Sequence, residues 1–405
     1  MRRIFPILAA LVGIQVALLL PGRSFFGSNQ DFGGVSDERL GASEVLPVGE
    51  FSSQDWVKTK PAVVGGGVYF GSNSNFVYAV DARTARLRWK YLTRGSVESS
   101  PAAEGGVIYF GSSDLYFYAV NASSGELAWR FRTDGQIRSS PAVSGGSVYF
   151  GSRDDNLYAL DAKTGQLKWK FKARGWVDSS PVVSGGIVYF GSHDDRLYAL
   201  DADTGAFKWA YVAGGWVDGS PVISGGIVCF GSNDGNLYAL NSESGEAKWA
   251  FKTGNLVESG PAISEGVVYF GSGDQHVYAV DAGSGEEKWR FATGGWVRSS
   301  PEISAGTVYV GSNDNFLYAL YADTGAQKWR FQTGGWVTSS PTVADGVVYF
   351  GSNDEHLYAV DAGTGVQKWS FSAAEGAGSI YIGSATAYRF LAGWWNYRDY
   401  RAWKQ

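Results

Sequence analysis

The chain has one cysteine (Cys229), one methionine and three histidines in 405 residues. An intrachain disulfide and a cysteine metal cluster are therefore excluded, and little is left for haem or transition-metal ligation. Charged residues are only 18%, which with 56 glycines argues against a coiled coil. There is no basic surplus either. The net charge of -5 speaks against a general nucleic-acid binder. No G-x-y period exists, so collagen is excluded, and 44% apolar residues exclude disorder. G-x-S-x-G, H-E-x-x-H and Walker motifs are all missing. What the sequence has in abundance is aromatic: 16 Trp, 23 Tyr and 23 Phe.

The N-terminus reads as a targeting segment. Met1-Arg2-Arg3 precedes an apolar run from Ile4 to Leu20, a positive end followed by a hydrophobic core. The run is slightly short for a comfortable membrane span. Leu20-Pro21-Gly22 is the best cleavage candidate, so residues 1–22 are a signal peptide or an uncleaved anchor. In either case the remainder is expected to be exported, periplasmic or extracellular. Residues 23–48 are polar and Gly/Ser-rich, a linker.

From there the chain repeats. Pro recurs at 61, 101, 141, 181, 221, 261, 301 and 341, and Gly-Ser recurs ten residues after each. The spacing is 40 residues eight times without insertion or deletion. Such a period, with short strands and turns, marks a propeller. Residues 173–213 illustrate one unit: Val177–Val183, Gly186–Phe190, Leu197–Leu200 and Trp209–Tyr211 read as four short strands. Ser-Gly-Gly, Gly-Ser-His-Asp-Asp and Asp-Ala-Asp-Thr-Gly read as the turns between them. No segment holds a 3.6 period long enough for a helix. The expectation is all-β: an eight-bladed, monomeric propeller with four-stranded antiparallel blades over residues 49–373.

The pattern A-x-D-x-x-T-G-x-x-x-W stands intact at Ala159–Trp169 and Ala199–Trp209, and with Ser for Thr at Ala279–Trp289. It resembles the tryptophan-docking motif of pyrroloquinoline-quinone (PQQ) propellers. That family includes quinoprotein dehydrogenases and the non-enzymatic propeller of the outer-membrane β-barrel assembly machinery; this chain is closer in character to the latter. The resemblance implies a structural role for Trp89, Trp129, Trp169, Trp209, Trp249, Trp289, Trp329 and Trp369, each packing between blades. Ala85, Asn121, Asn241 and Tyr321 depart from the motif. The turns at Ala85 and Tyr321 are expected to be the least regular.

In a four-stranded meander, alternate connections lie on opposite faces. One face then carries nearly identical turns, while the other varies. The variable face holds Trp56, Trp176, Trp216, Trp296 and Trp336, replaced elsewhere by Ser96, Gln136 and Leu256. Two residues on runs a charged series: Lys58, Glu98, Arg138, Asp178, Asp218, Glu258, Arg298 and Thr338. His193, His276 and His356 are assigned to the strand 2-to-3 turns of the same face, with Arg153 and Arg196. A ring of exposed aromatics around a charged funnel suits protein recognition. The bland alternative is Trp packed under loops over a solvated rim. Asp178, Asp218 and Glu258 offer three carboxylates to a Ca²⁺, unless Arg138 and Arg298 neutralise them.

Residues 374–405 break the period. Ser379–Ser384 echoes V-Y-F-G-S as a degenerate ninth unit, and the rest is aromatic and basic. It suits a membrane surface, a partner, or a cap on the ring's edge. Phe51–Ser53 resembles a fourth strand that would close the ring on the last blade, a place for which Trp369–Phe371 competes.

Three functions are weighed: an envelope scaffold that binds protein, a PQQ-dependent dehydrogenase, and a carbohydrate-binding or sensor module that stacks sugars on the Trp face. The resemblance makes a vicinal cysteine pair and long blade insertions the marks of quinone binding. A lone Cys229 and the absence of insertions count against it. The scaffold reading is preferred, with no enzyme activity, no cofactor and a protein partner in the envelope. PQQ with Ca²⁺ is the alternative.

Overall fold

The computed structural model describes residues 55–375, and by backbone alone the strands Ala377–Ile382 and Thr386–Leu391. The signal segment, the linker and residues 51–53 lie outside these residues. Seven four-stranded antiparallel sheets and one of six strands follow each other along the chain, each built from one repeat. Together they make the eight-bladed propeller that the 40-residue period predicts. No helix occurs among the described residues, so none there is long and apolar enough to cross a membrane.

In the first blade the strands are Ala62–Val64, Gly67–Gly71, Phe76–Asp81 and Leu87–Leu92. The innermost is only three residues long in every blade. In the fourth blade it spans Val182–Ser184, not the longer Val177–Val183 stretch the apolar run suggests. Pro181 has no N–H to give a ladder, so pairing starts after it.

The second strand is buried on both sides, which explains its unbroken apolar run. Alternate residues face alternate seams. Val68, Phe70 and Tyr78 pack with Tyr349, Trp369 and Phe371 of blade eight. Tyr69, Val77 and Trp89 pack with Ile108, Phe110 and Tyr118 of blade two. Eight such clusters fill the eight seams.

Each motif Trp docks onto the next blade. Its indole N–H donates to a backbone carbonyl 2.8–3.2 Å away, from Trp89 to Ala122 round to Trp369 and Ala82. The ring lies over the next blade's Thr-Gly turn. A Cβ on Gly165 would stand 2.6 Å from the Trp129 ring, and its φ of +71° already asks for glycine. Asp161 caps that turn, accepting from the Thr164 N–H and hydroxyl at 2.8 Å each. Five of the Trp are buried and Trp129, Trp169 and Trp249 are half-buried.

The two turns expected to be irregular keep their backbone. Ala85 adopts φ +55° and donates to Asp81 at 2.9 Å, as glycine does elsewhere. Gly325 donates to the Tyr321 carbonyl at 2.8 Å. What Tyr321 lacks is the carboxylate that caps the turn, not the turn.

Among the described residues the ring closes on blade eight's own strands. The outer place of blade eight is filled by its own Gln367–Ser372, so Trp369–Phe371 takes the contested position. Val57 donates to Ser352 at 3.2 Å, the bond that Val97 makes to Ser72 at an internal seam. No ninth blade begins at Ser379. Ala377–Ile382 pairs onto Gln367–Ser372 and Thr386–Leu391 onto that, widening blade eight to six strands. Residues beyond 391 lie outside the described part.

Candidate functional site

The two faces separate as the meander requires. On one, the N–H after each Gly-Ser donates to the carbonyl of the Trp-series residue: His193 to Trp176, Asn233 to Trp216, Ser113 to Ser96. This ties the strand 4-to-1 loop to the strand 2-to-3 turn of the same blade. On the other, Ala162 donates to Gly146 and Ala202 to Gly186, joining the two uniform turns.

Of the five variable-face tryptophans, Trp176, Trp216 and Trp336 are about half exposed (45%, 50% and 49%). Trp56 and Trp296 are more covered. A cation lies over each: Lys58 Nζ stands 4.3 Å from the Trp56 ring centre and Arg298 4.8 Å from that of Trp296. The uniform ring of five exposed aromatics is thus three.

Trp176 and Trp216 belong to one stack. Arg153 lies 4.5 Å over Trp176. His193 packs against Trp176 at 5.5 Å and stacks nearly parallel on Trp216 at 4.5 Å. Beneath the stack, Arg153 grips both oxygens of Asp178 through Nε, at 3.1 Å each, and Nη2 at 2.7 Å. His193 Nε2 is 2.5 Å from Asp218 and 3.7 Å from Asp178. Asn233 donates to the other oxygen of Asp218 at 2.9 Å. Burial would lower the His193 pKa, but Asp218 and Asp178 more than offset it and hold it above the ordinary value.

The remaining charges pair around the axis. Arg298 meets Glu258 at 2.7 Å and Arg138 meets Glu98 at 3.4 Å. Burial still raises the Glu258 pKa despite Arg298, and burial lowers that of Lys58, helped by Arg138 and Arg298 against Glu98. His276 and His356 are placed differently from expectation. They begin third strands rather than sitting in the turns, with Nδ1 at 2.9 and 2.7 Å from the carbonyls of Asp274 and Asp354. Only His193 joins the charged centre. Arg196, in the column of those two, donates to the Asp194 carbonyl at 2.9 Å.

The carboxylates do not fit the Ca²⁺ and quinone alternative. Asp178, Asp218 and Glu258 each already face a partner of their own, Arg153, His193 and Arg298. Among the described residues no group of three or more His, Cys, Asp or Glu could hold a metal ion. Cys229 is fully buried in the seam between blades five and six, its thiol pushed up to about 12 by burial. Asp154 and Asp194 are turn residues: each accepts a Tyr hydroxyl and a backbone N–H from the preceding loop.

One charged pair went unforeseen. Lys60 replaces the Ser or Gly found at this place in every other blade, and Glu302 replaces Ala, Val or Thr. Lys60 Nζ meets Glu302 at 2.8 Å, from blade one to blade seven, inside a cavity of about 620 Å³ on the axis. Reading the repeat column by column for lone departures would have found both.

A propeller whose blades are docked by tryptophan, with one repeated face and one varied, charged face, defines a PQQ-like repeat protein. The family described as "Outer membrane protein assembly factor BamB" matches residues 48–139, 116–255, 249–335 and 304–391, and the chain belongs to it. Among solved structures it is similar to BamB from Moraxella catarrhalis (21% identity, 76% of this chain and 92% of that one, TM-score 0.62). It also resembles the computationally designed Ika8 protein (18%, 76% and 96%, TM-score 0.69). Quinohemoprotein alcohol dehydrogenase ADHIIG from Pseudomonas putida HK5 is a third (18%, 76% and 70%, TM-score 0.65). At these identities the likenesses establish the fold. No curated protein matches significantly in sequence. Membership of the BamB family supports a non-catalytic propeller.

Proposed function

We propose that the chain is an exported, non-catalytic scaffold that binds protein partners in the cell envelope through its variable face, in the assembly of outer-membrane proteins. The observation that carries this reading is the half-exposed Trp176–His193–Trp216 stack set over carboxylates that each face a partner. Rigid, half-exposed aromatics with an Arg beside them are the usual anchors of protein interfaces. The family name supports the location and the process. The sugar-binding alternative is weaker, because one face of Trp176, Trp216, Trp296 and Trp56 is already covered by Arg153, His193, Arg298 and Lys58.

The test is site-specific photo-crosslinking in intact envelopes. A benzophenone amino acid at Trp176, Trp216 or Trp336 is expected to trap discrete protein partners, and one at Val366 on the uniform face is not. Crosslinks from Val366 alone would move the interface to the other side. Substituting the three Trp together should weaken capture while the ring stays folded.

A further inference from the structure

The axis of the ring is lined by a belt of serines. Around much of the ring a residue of this column donates its backbone N–H to the serine of the next blade: Lys60 to Ser100 at 2.8 Å, Ser100 to Ser140 at 2.9 Å, Ser140 to Ser180 at 3.0 Å. The belt continues from Gly260 to Ser300 and from Ser300 to Ser340. A serine oxygen that accepts in this way keeps its hydroxyl hydrogen to donate elsewhere.

One charge stands in this belt and another beside it, and they meet. Lys60 stands where the other blades carry Ser or Gly, and Glu302 begins an innermost strand where they carry Ala, Val or Thr. Both side chains remain partly open, 44% and 30% exposed, so their 2.8 Å pair contributes little to stability. Of the three Lys60 ammonium hydrogens, this bond uses one, and it uses only Oε2 of Glu302. The about 620 Å³ cavity around them is of small-molecule size. Its wall on blades five to seven is apolar, through Val222, Ile263 and Ile303.

A cation backed by hydroxyl donors, an anion beside it and an aliphatic wall form a three-point pattern. We propose that the axial cavity binds an α-amino zwitterion with an apolar side chain, as a free amino acid or a short peptide. The ligand carboxylate takes hydrogen bonds from Lys60 and the serine belt. Its ammonium donates to Glu302, and its side chain lies on the Val222–Ile263–Ile303 wall. This site is separate from the tryptophan face, and either can fail without the other.

Calorimetric titration of the full-length chain with L-leucine and with L-leucyl-L-leucine tests the proposal. Saturable binding of at least one is expected, and the tighter of the two identifies the source. N-acetyl-leucine, which lacks the ammonium, and leucinamide, which lacks the carboxylate, should each bind about tenfold or more weaker. Lys60→Ser and Glu302→Ala restore residues that other blades carry, so the ring should melt as before while leucine binding falls by a similar factor. No saturable binding to the unaltered chain at millimolar concentration would overturn the proposal. So would equal affinity for the blocked ligands, or binding unchanged by both substitutions.

Discussion

The two faces of this ring come from one repeat and were put to opposite uses. On the uniform face, Asp161, Thr164 and Gly165 make the same bonds as their counterparts in most other blades, and each turn receives the Trp of its neighbour. On the varied face, the same backbone bond from His193 to Trp176 recurs in every blade while the side chains change. A repeat thus keeps fixed what one blade must offer the next. Freedom to vary is confined to what no neighbouring blade requires.

The sharpest way to break this comparison is to remove one tryptophan from each face. Trp209→Ala is expected to cost about 3–5 kcal/mol, since a buried ring and its bond to Ser242 are both lost. Trp216→Ala should cost less than about 1 kcal/mol. Guanidinium unfolding followed by far-ultraviolet circular dichroism compares them, and equal losses would erase the division between the faces.

Next in size, Arg153→Ala strips Asp178 of its bidentate partner. A loss of about 1–2 kcal/mol is expected, between that of an exposed pair and a buried one. Adding Asp178→Ala should recover much of it; a double variant as weak as the single would mean that Arg153 works by covering Trp176. Cys229 tests the seams. Seven blades carry a Tyr there, as in Tyr189 to Ser242 at 3.0 Å. Cys229→Tyr should restore that bond and gain about 1 kcal/mol. A loss would show that the fifth seam has closed around the smaller side chain.

Two smaller effects sharpen the contrast. His193 has a folded pKa above its unfolded value, so its stabilisation is full below about pH 6.5 and is lost as pH rises through the folded value. The stability difference between the unaltered chain and His193→Gln should therefore be largest near pH 6 and smallest near pH 9. A flat difference would remove Asp218 as its partner. Tyr321→Asp supplies the missing turn cap and should raise the melting temperature by roughly 1–2 °C.

Blade number, strand order and Trp docking were legible because they recur, and a period of 40 reports on every copy at once. The charged centre was legible only as a list of residues. Its pairings join positions 25 apart, Arg153 to Asp178 and His193 to Asp218, and no local spacing announces them. His276 and His356 sit in a different column from His193, and grouping them by residue type concealed that. The Lys60–Glu302 pair spans 242 residues and only the ring geometry brings it together. Which of the five tryptophans stand exposed depends on the packing around each, which composition does not encode.

The closing junction has a topological consequence. Trp369 meets Ala82 and Val57 meets Ser352 through the bonds used at internal seams, so the closing seam is bonded like any other. The four inner strands of every wedge are threaded in the same order, so the seams do not depend on which wedge the chain enters first. A circular permutant opened between Lys172 and Trp176, with the native ends of the ring joined by a linker, would thread the same eight wedges from a new starting point.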